Sequence, residues 1–217
     1  MTETPAGIGS QELETALRLG AATLFEAAGT AGALPSRITP VSPGLPVSGR
    51  AFPVTLPPGD NLWLHHAIYA ASPGDVIIAT AAGGYEYGYF GEVLAEAALA
   101  RGIAGLIIDG GVRDTRQTAD LGFPVFSERR CIRGTGKNPA LAGSLGKPVV
   151  IGGTTVHTGD LVVGDADGVV VVPAAEARQA IAAGIQRERK EAELIRLLRE
   201  GKRSIDLYGM PAVEGAV

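Results

Sequence analysis

Several residue types that would define a protein class are scarce in this chain. Only one of its 217 residues is cysteine, Cys131. A single thiol cannot close an internal disulfide, so a stapled secreted scaffold is excluded. Histidine occurs three times, as His65, His66 and His157. Neighbouring side chains diverge on a strand or a helix and the third histidine is remote, so no zinc cluster is expected. Lysine is limited to Lys137, Lys147, Lys190 and Lys202, none inside an apolar strand. A Schiff-base nucleophile would lack the desolvated setting it needs. Positive charge is not in excess: 19 Lys and Arg face 23 Asp and Glu, for a net charge of −4. That argues against an extended nucleic-acid footprint. No apolar run approaches the ~18 residues of a membrane span. The start, MTETPAGIGSQELETALR, shows no basic segment followed by an apolar one, so no signal peptide is expected and a cytoplasmic location is. There is no G-x-S-x-G elbow and no G-x-G-x-x-G after a strand. RGTGKN (133–138) lacks half of a P-loop, and DADG (165–168) lacks the remaining ligands of a calcium loop.

Glycine is what the chain has in quantity: 31 of 217 residues, about double the usual ~7%. It is dispersed without period, which implies many tight turns in a globular chain. The length and the absence of a linker predict one domain over 1–217, with residues 1–9 loose. Ser10 is expected to cap a helix over 11–28, and the proline-rich stretch 33–61 to form loops and an edge strand over 47–54. A short helix over 62–71 and an apolar strand over 75–80 follow. The loop AAGGYEYGYFG (81–91) leads into a helix over 92–101, then a strand over 103–108 and a turn, DGGVRD (109–114). Phe123–Phe126 and residues 149–152 read as short strands. LVVGDADGVVVV (161–172) reads as a hairpin turning at Asp167-Gly168. Pro173 is expected to open a C-terminal helix over 174–200.

Strand 75–80, helix 92–101 and strand 103–108 make a βαβ unit, with parallel strands and a right-handed crossover. The helix rises ~15 Å over ten residues and the strand returns ~20 Å over six. Gly110–Asp114 therefore comes back beside Gly91 and Glu92, at the carboxyl end of the strands where ligands of open α/β sheets bind. Two acids and an arginine converge there. Arg113 suits a carboxylate, Asp114 suits a hard divalent cation, and Glu92 suits proton transfer or orienting a water. The competing bland explanation is a solvated turn pair beside a dipole-complementing helix start.

The segment GEVLAEAALARGIAGLIIDGGVRD (91–114), with PGDVIIAT (73–80), LGFPVF (121–126) and GDLVVGDADGVVVVP (159–173), closely resembles the family of the 4-hydroxy-4-methyl-2-oxoglutarate/4-carboxy-4-hydroxy-2-oxoadipate aldolases and the regulator of ribonuclease E activity A. Its aldolases carry Gly, an acid, twenty residues, then Arg-Asp; this chain has Gly91-Glu92 and Arg113-Asp114 at that spacing. The resemblance implies a three-layer β/β/α sandwich of swivelling-domain type with N- and C-terminal helices. It implies a class II pyruvate aldolase with oxaloacetate decarboxylase side activity, using Mg²⁺ (or Mn²⁺) on Asp114. Arg113, with Gly91, Glu92, Val93 and the amide of Leu94, would bind the 2-oxo acid, and Glu92 would position a water. A glutamate from a neighbour's C-terminal helix would complete the site in a homotrimer or a dimer of trimers: Glu191 foremost, with Glu188 and Glu193 as candidates. The other branch of the family implies a non-catalytic regulator of a ribonuclease or helicase. Gln117, where some members carry an acid, marks distance from that branch.

Overall fold

The computed structural model describes residues 7–213. Most of the expected loose start, residues 1–6, lies outside them. Ile8 is buried, and the Gly9 N–H donates to Glu12 Oε2 at 2.7 Å, so the first helix is fastened from its first turn. The expected helix over 11–28 is two helices, α1 (Ser10–Leu19) and α2 (Ala21–Ala27). Gly20, at φ +81°, separates them, a backbone state open to glycine at little cost. The Ala21 N–H is taken by Asp165 Oδ2 at 2.7 Å, a carboxylate standing at the start of α2.

The elements that follow are β1 (Thr39–Pro40), β2 (Val47–Thr55), α3 (Leu62–Ala70), β3 (Asp75–Thr80), β4 (Gly88–Phe90), α4 (Glu92–Ala100), β5 (Gly105–Val112), α5 (Thr115–Asp120) and β6 (Val125–Arg130). Then come β7 (Ser144–Leu145), β8 (Val149–Ile151), β9 (Thr154–Val156), β10 (Leu161–Gly164), β11 (Val169–Val172), α6 (Ala177–Arg199) and α7 (Ser204–Leu207). One sheet runs β1-β6-β5-β3-β2-β10-β11, with β4 added to β5 and β7 to β2. β2, β3, β5 and β6 are mutually parallel, whereas β10 and β11 pair antiparallel. The predicted βαβ unit is present, with β3 and β5 adjacent.

Several boundaries differ from expectation. β2 lies inside the sheet between β3 and β10 and is not an edge strand. It accommodates Pro53 because pairing with β10 ends at Arg50, so the missing N–H falls past that ladder. β5 continues through Asp109–Val112, where a turn was expected. The small residues Gly110 and Gly111 carry a register shift against β6 there, and β4 pairs alongside. β6 is displaced two residues beyond the expected start, and α6 begins at Ala177 after a turn in which Glu176 N–H bonds Pro173 O.

The chain is layered as a mixed α/β sandwich. One face of the parallel strands buries Ile77, Ala79, Leu106 and Ile108 against α3 and α4. The other face buries Val76, Ile78, Ile107 and Phe126 against the β8–β9 hairpin and the inward side of β10–β11. The sheet curls, so alternate residues of β10–β11, Leu161, Val163, Val170 and Val172, face outward onto α1, α2 and α6. An unbroken apolar run on both strands is what burial of both faces requires. Among the described residues no helix is long and apolar enough to cross a membrane.

Candidate functional site

The carboxyl end of β5 delivers Arg113 and Asp114 to the amino end of α4. The Arg113 N–H bonds Phe90 O at 2.8 Å, which fixes the backbone of this junction to β4. Asp114 is left-handed at φ +49° and precedes α5, an uncommon state for a residue with a side chain. Its Oδ2 receives the Glu92 N–H at 3.3 Å and lies 3.6 Å from Arg113 Nε. The Arg113 and Asp114 side chains are 47% and 37% exposed, so both reach solvent. Gly91 precedes α4 in an extended conformation, so its demand is for space. A Cβ there would overlap Asp114 Oδ2 and come within 3.0 Å of Arg113 Cγ.

The structure thus brings Gly91, the Glu92 backbone, Leu94, Arg113 and Asp114 together, while the Glu92 side chain lines neither of the hollows described below. The amides of α4's first turn divide unequally. The Glu92 N–H serves Asp114, and the Leu94 N–H serves Gly91 O at 3.1 Å. Among the described residues Val93 N–H has no acceptor. Val93 is also 77% exposed, at the rim. Glu92 stands exposed on the same turn, and the positive end of the helix faces this edge.

Arg113 and Asp114 border a cleft of about 170 Å³ with Gly91, Val93, Leu94 and Tyr89, the last from the loop 83–90 expected to shape the pocket; its remaining walls were not anticipated, namely Asn61 just before α3, His65 of α3, and Lys137. On their opposite side they border a second hollow of about 340 Å³ with Arg130, Cys131 and Ile132. His65 is part-buried, and its pKa lies below the usual histidine value because of desolvation, reinforced by the charges of Lys137 and His66. No residue spacing in RGTGKN announced a binding role for Lys137. That segment reaches the cleft through long-range bonds: Gly88 N–H to Arg133 O at 2.8 Å, and Gly136 N–H to Gly59 O at 2.8 Å. The Arg133 guanidinium also lies over the Tyr87 ring, 5.5 Å from its centroid. Asp109, buried earlier in β5, receives Ala81 N–H at 2.6 Å and Thr80 Oγ1 at 3.0 Å. Burial nevertheless raises its pKa.

The three C-terminal glutamates do not line this cleft within one chain. Glu188 pairs with Arg18 of α1, Glu191 with Arg187 at 2.8 Å, and Glu193 with Arg196 at 2.7 Å. Among the described residues, no group of three His, Cys, Asp or Glu side chains is placed to hold a metal ion. Among the described residues Asp114 is the only carboxylate lining the cleft.

The profile of the RraA-like family, described as Aldolase/RraA, matches residues 21–171, and the chain belongs to that family. A Halalkalibacterium halodurans protein named "Putative 4-hydroxy-4-methyl-2-oxoglutarate aldolase" is 40% identical over 140 residues. The match covers 64% of this chain and 66% of that relative, so this chain spans just under two thirds of its length. Among solved structures, an uncharacterized protein of Pseudomonas syringae pv. tomato is similar with a TM-score of 0.82 and 28% identity, covering 94% of this chain and 96% of that one. Streptomyces coelicolor RraAS2, described as an unusual member of the RNase ES inhibitor RraA family, is similar with a TM-score of 0.75 and 26% identity, covering 87% and 98%.

Proposed function

We propose that this protein is a divalent-metal-dependent lyase that cleaves 4-hydroxy-2-oxo acids of the 4-hydroxy-4-methyl-2-oxoglutarate type to pyruvate, and that the same site decarboxylates oxaloacetate. The observation that carries this reading is the adjacency of Arg113, Asp114 and the first turn of α4, with Gly91 leaving no Cβ between them. The name of the H. halodurans relative supports the reaction class.

The residues divide the work. The Arg113 fork grips the carboxylate and keto end of the substrate in two parallel hydrogen bonds. The open Val93 N–H and the positive helix end add to that grip. Glu92 orients a water that takes the proton from the C4 hydroxyl. The C3–C4 bonding pair then passes into the pyruvate enolate, which is reprotonated at C3. With the methyl-oxoglutarate substrate both products are pyruvate. Lys137, which lines the cleft with His65, faces the second carboxylate.

The donor set fits Mg²⁺. This ion keeps several waters and binds through one or two carboxylates, and Asp114 offers one carboxylate in an open cleft. When bound, Mg²⁺ supplies positive charge against the negative charge that develops on the keto oxygen. The glutamate that completes the site is Glu191 of a neighbouring subunit in a trimer or dimer of trimers. What supports that is the far half of α6, where Ile195 and Leu198 are 47% and 39% exposed beyond the part packed on α1 and α2.

The test is pyruvate release from 4-hydroxy-4-methyl-2-oxoglutarate and oxaloacetate. It is expected to vanish with EDTA and return with Mg²⁺ or Mn²⁺. Activity that survives exhaustive chelation removes the metal. Inactive Glu191→Ala and Arg113→Ala chains are expected to regain activity when refolded together, because some interfaces then join two intact halves. The similarity to RraAS2 favours a second reading, a regulator that binds a ribonuclease. Absence of turnover on every 2-oxo acid tried, with retained ribonuclease binding, would decide for it.

A further inference from the structure

We infer that Asp60 is a positioning residue: it sets the Lys137 segment against the start of α3 at the cleft and thereby determines how well the protein holds a ligand's second carboxylate. The inference rests on the site reading above, and it concerns a residue that lines neither hollow.

Asp60 is 2% exposed. Burying a carboxylate is costly unless its oxygens are bonded, and here each oxygen serves a different segment. Oδ1 accepts the Leu62 N–H at 2.9 Å, at the start of α3. Oδ2 accepts the Asn138 N–H at 2.6 Å, from the segment that carries Lys137. A residue needed only to start α3 would use the first bond alone. Two backbone bonds run parallel to the second: Gly136 N–H to Gly59 O at 2.8 Å, and Asn61 N–H to Gly136 O at 3.2 Å. Lys137 is therefore bracketed, with both chain neighbours pinned to residues 59–61. The same stretch is tied to the third wall, because Tyr89 Oη accepts the Gly59 N–H at 2.8 Å and donates to Gly84 O at 2.8 Å. Asp60 thus fixes the distance between the helix that carries His65 and the segment that carries Lys137. Lysine is a flexible point charge on a long stem, so where its backbone is held decides whether its ammonium can meet a second carboxylate.

The experiment compares two substrates, 4-hydroxy-4-methyl-2-oxoglutarate and 4-hydroxy-2-oxopentanoate. The second has a hydrogen in place of the distal carboxylate. Asp60→Asn keeps one acceptor oxygen but loses the other, so it can serve Leu62 or Asn138 and not both. It is expected to raise KM for the dicarboxylate ~10-fold. kcat is expected to stay within ~3-fold, the signature of lost uniform binding. KM for the monocarboxylate is expected to stay within ~2-fold. On a Lys137→Ala background Asp60→Asn should add nothing, since both changes remove one interaction. Gly136→Ala approaches the strap from outside: its Cβ would meet Asp60 Oδ2 at 3.1 Å. It should produce a weaker form of the same selective loss, and it decides the matter if Asp60→Asn does not fold. Equal losses on both substrates, or effects that add to Lys137→Ala, overturn the proposal. Calorimetric binding of 2-oxoglutarate against pyruvate, with Mg²⁺ present, separates this from failure of the lyase reading. The variants should lose the preference for 2-oxoglutarate even in a protein that turns nothing over. A wild-type protein with no such preference also overturns it.

Discussion

The two faces of the parallel sheet bury polar groups for different purposes. On the side of α3 and α4, Asp60, Asn61 and the Tyr89 hydroxyl join segments around residues 59–61, 84–89 and 136–138, which are far apart in sequence. The left-handed Asp114 and Ala82 are at this end as well. On the other side the interior is aliphatic, built from Val149, Ile151, Val156, Val162 and Val171 around Phe126. The buried acid beyond it, Asp160, accepts the N–H groups of His157 and Ala174, three and fourteen residues away, and ties only the two ends of the β10–β11 hairpin. One face spends little on polar burial and supplies cohesion. The other accepts desolvated groups and a strained backbone to hold side chains open to a cleft. Substitutions should therefore separate stability from activity.

The largest effect should fall on the aliphatic side. Phe126 is fully buried, and Phe126→Ala should cost about 3–5 kcal/mol of unfolding free energy. Pyruvate release per folded molecule should be unchanged below the transition. A denaturant titration beside an activity assay checks both halves; a specific loss of turnover in the folded fraction would break the division of labour.

Arg113→Lys should show the reverse. Lysine keeps the charge and loses the planar fork. A loss of ~2–5 kcal/mol of binding and transition-state stabilisation corresponds to ~30-fold to several thousand-fold in kcat/KM. The melting temperature should move by only a few degrees, because the side chain is half-exposed. A variant that retains more than about a third of wild-type release would reduce Arg113 to a surface turn residue.

Gly91→Ala should lie between the two. Its methyl group would displace the Asp114 carboxylate. A shift of about 1 Å in a positioned group can cost ~100-fold in rate, while overpacking costs ~1–3 kcal/mol in stability. If kcat/KM survives intact, the close approach of Gly91 to Asp114 has no part in the chemistry.

Much of this arrangement is legible in the chain and some is not, for physical reasons. The βαβ unit, the parallel β3 and β5, and the return of Arg113-Asp114 to Glu92 follow from apolar runs, glycine stops and rise per residue, all local quantities. The continuation of β5 through Asp109-Gly110-Gly111 was hidden because that triplet is a strong turn signal. Pairing with β4 and β6 overrides it. Gly20 splits the first helix although the apolar stripe runs on past it; what decides is the Asp165 carboxylate, supplied from 144 positions away. Lys137 and His65 enter the cleft for a similar reason. The bonds of Asp60 and the Gly136 backbone bring 133–138 to the start of α3, and no window of sequence contains both.

The smallest effect is the most direct check on the cleft's electrostatics. His65 has a folded-state pKa below its ordinary value, first through desolvation and then through the positive charges of Lys137 and His66. The unfolded chain therefore binds a proton at His65 more readily than the folded one does. As pH falls through the ordinary histidine value of about 6.5, the unfolded state gains protons first and His65 subtracts stability. Above that value the penalty is absent. His65→Gln should flatten the fall in stability between pH 7.5 and 5, measured by denaturant titration at each pH, with little change at pH 7.5. Lys137→Met should raise the His65 pKa, followed by NMR of the ring protons, but only part of the way, because desolvation is the larger cause and remains. A 2-oxo dicarboxylate bound in the cleft should raise it further, since a second carboxylate beside the imidazole favours its charged form. If His65 titrates at or above its ordinary value, or ignores both Lys137→Met and the dicarboxylate, Lys137 does not share the cleft with it. The assignment of that wall to a second carboxylate then fails, while the Arg113-Asp114 wall opposite stands.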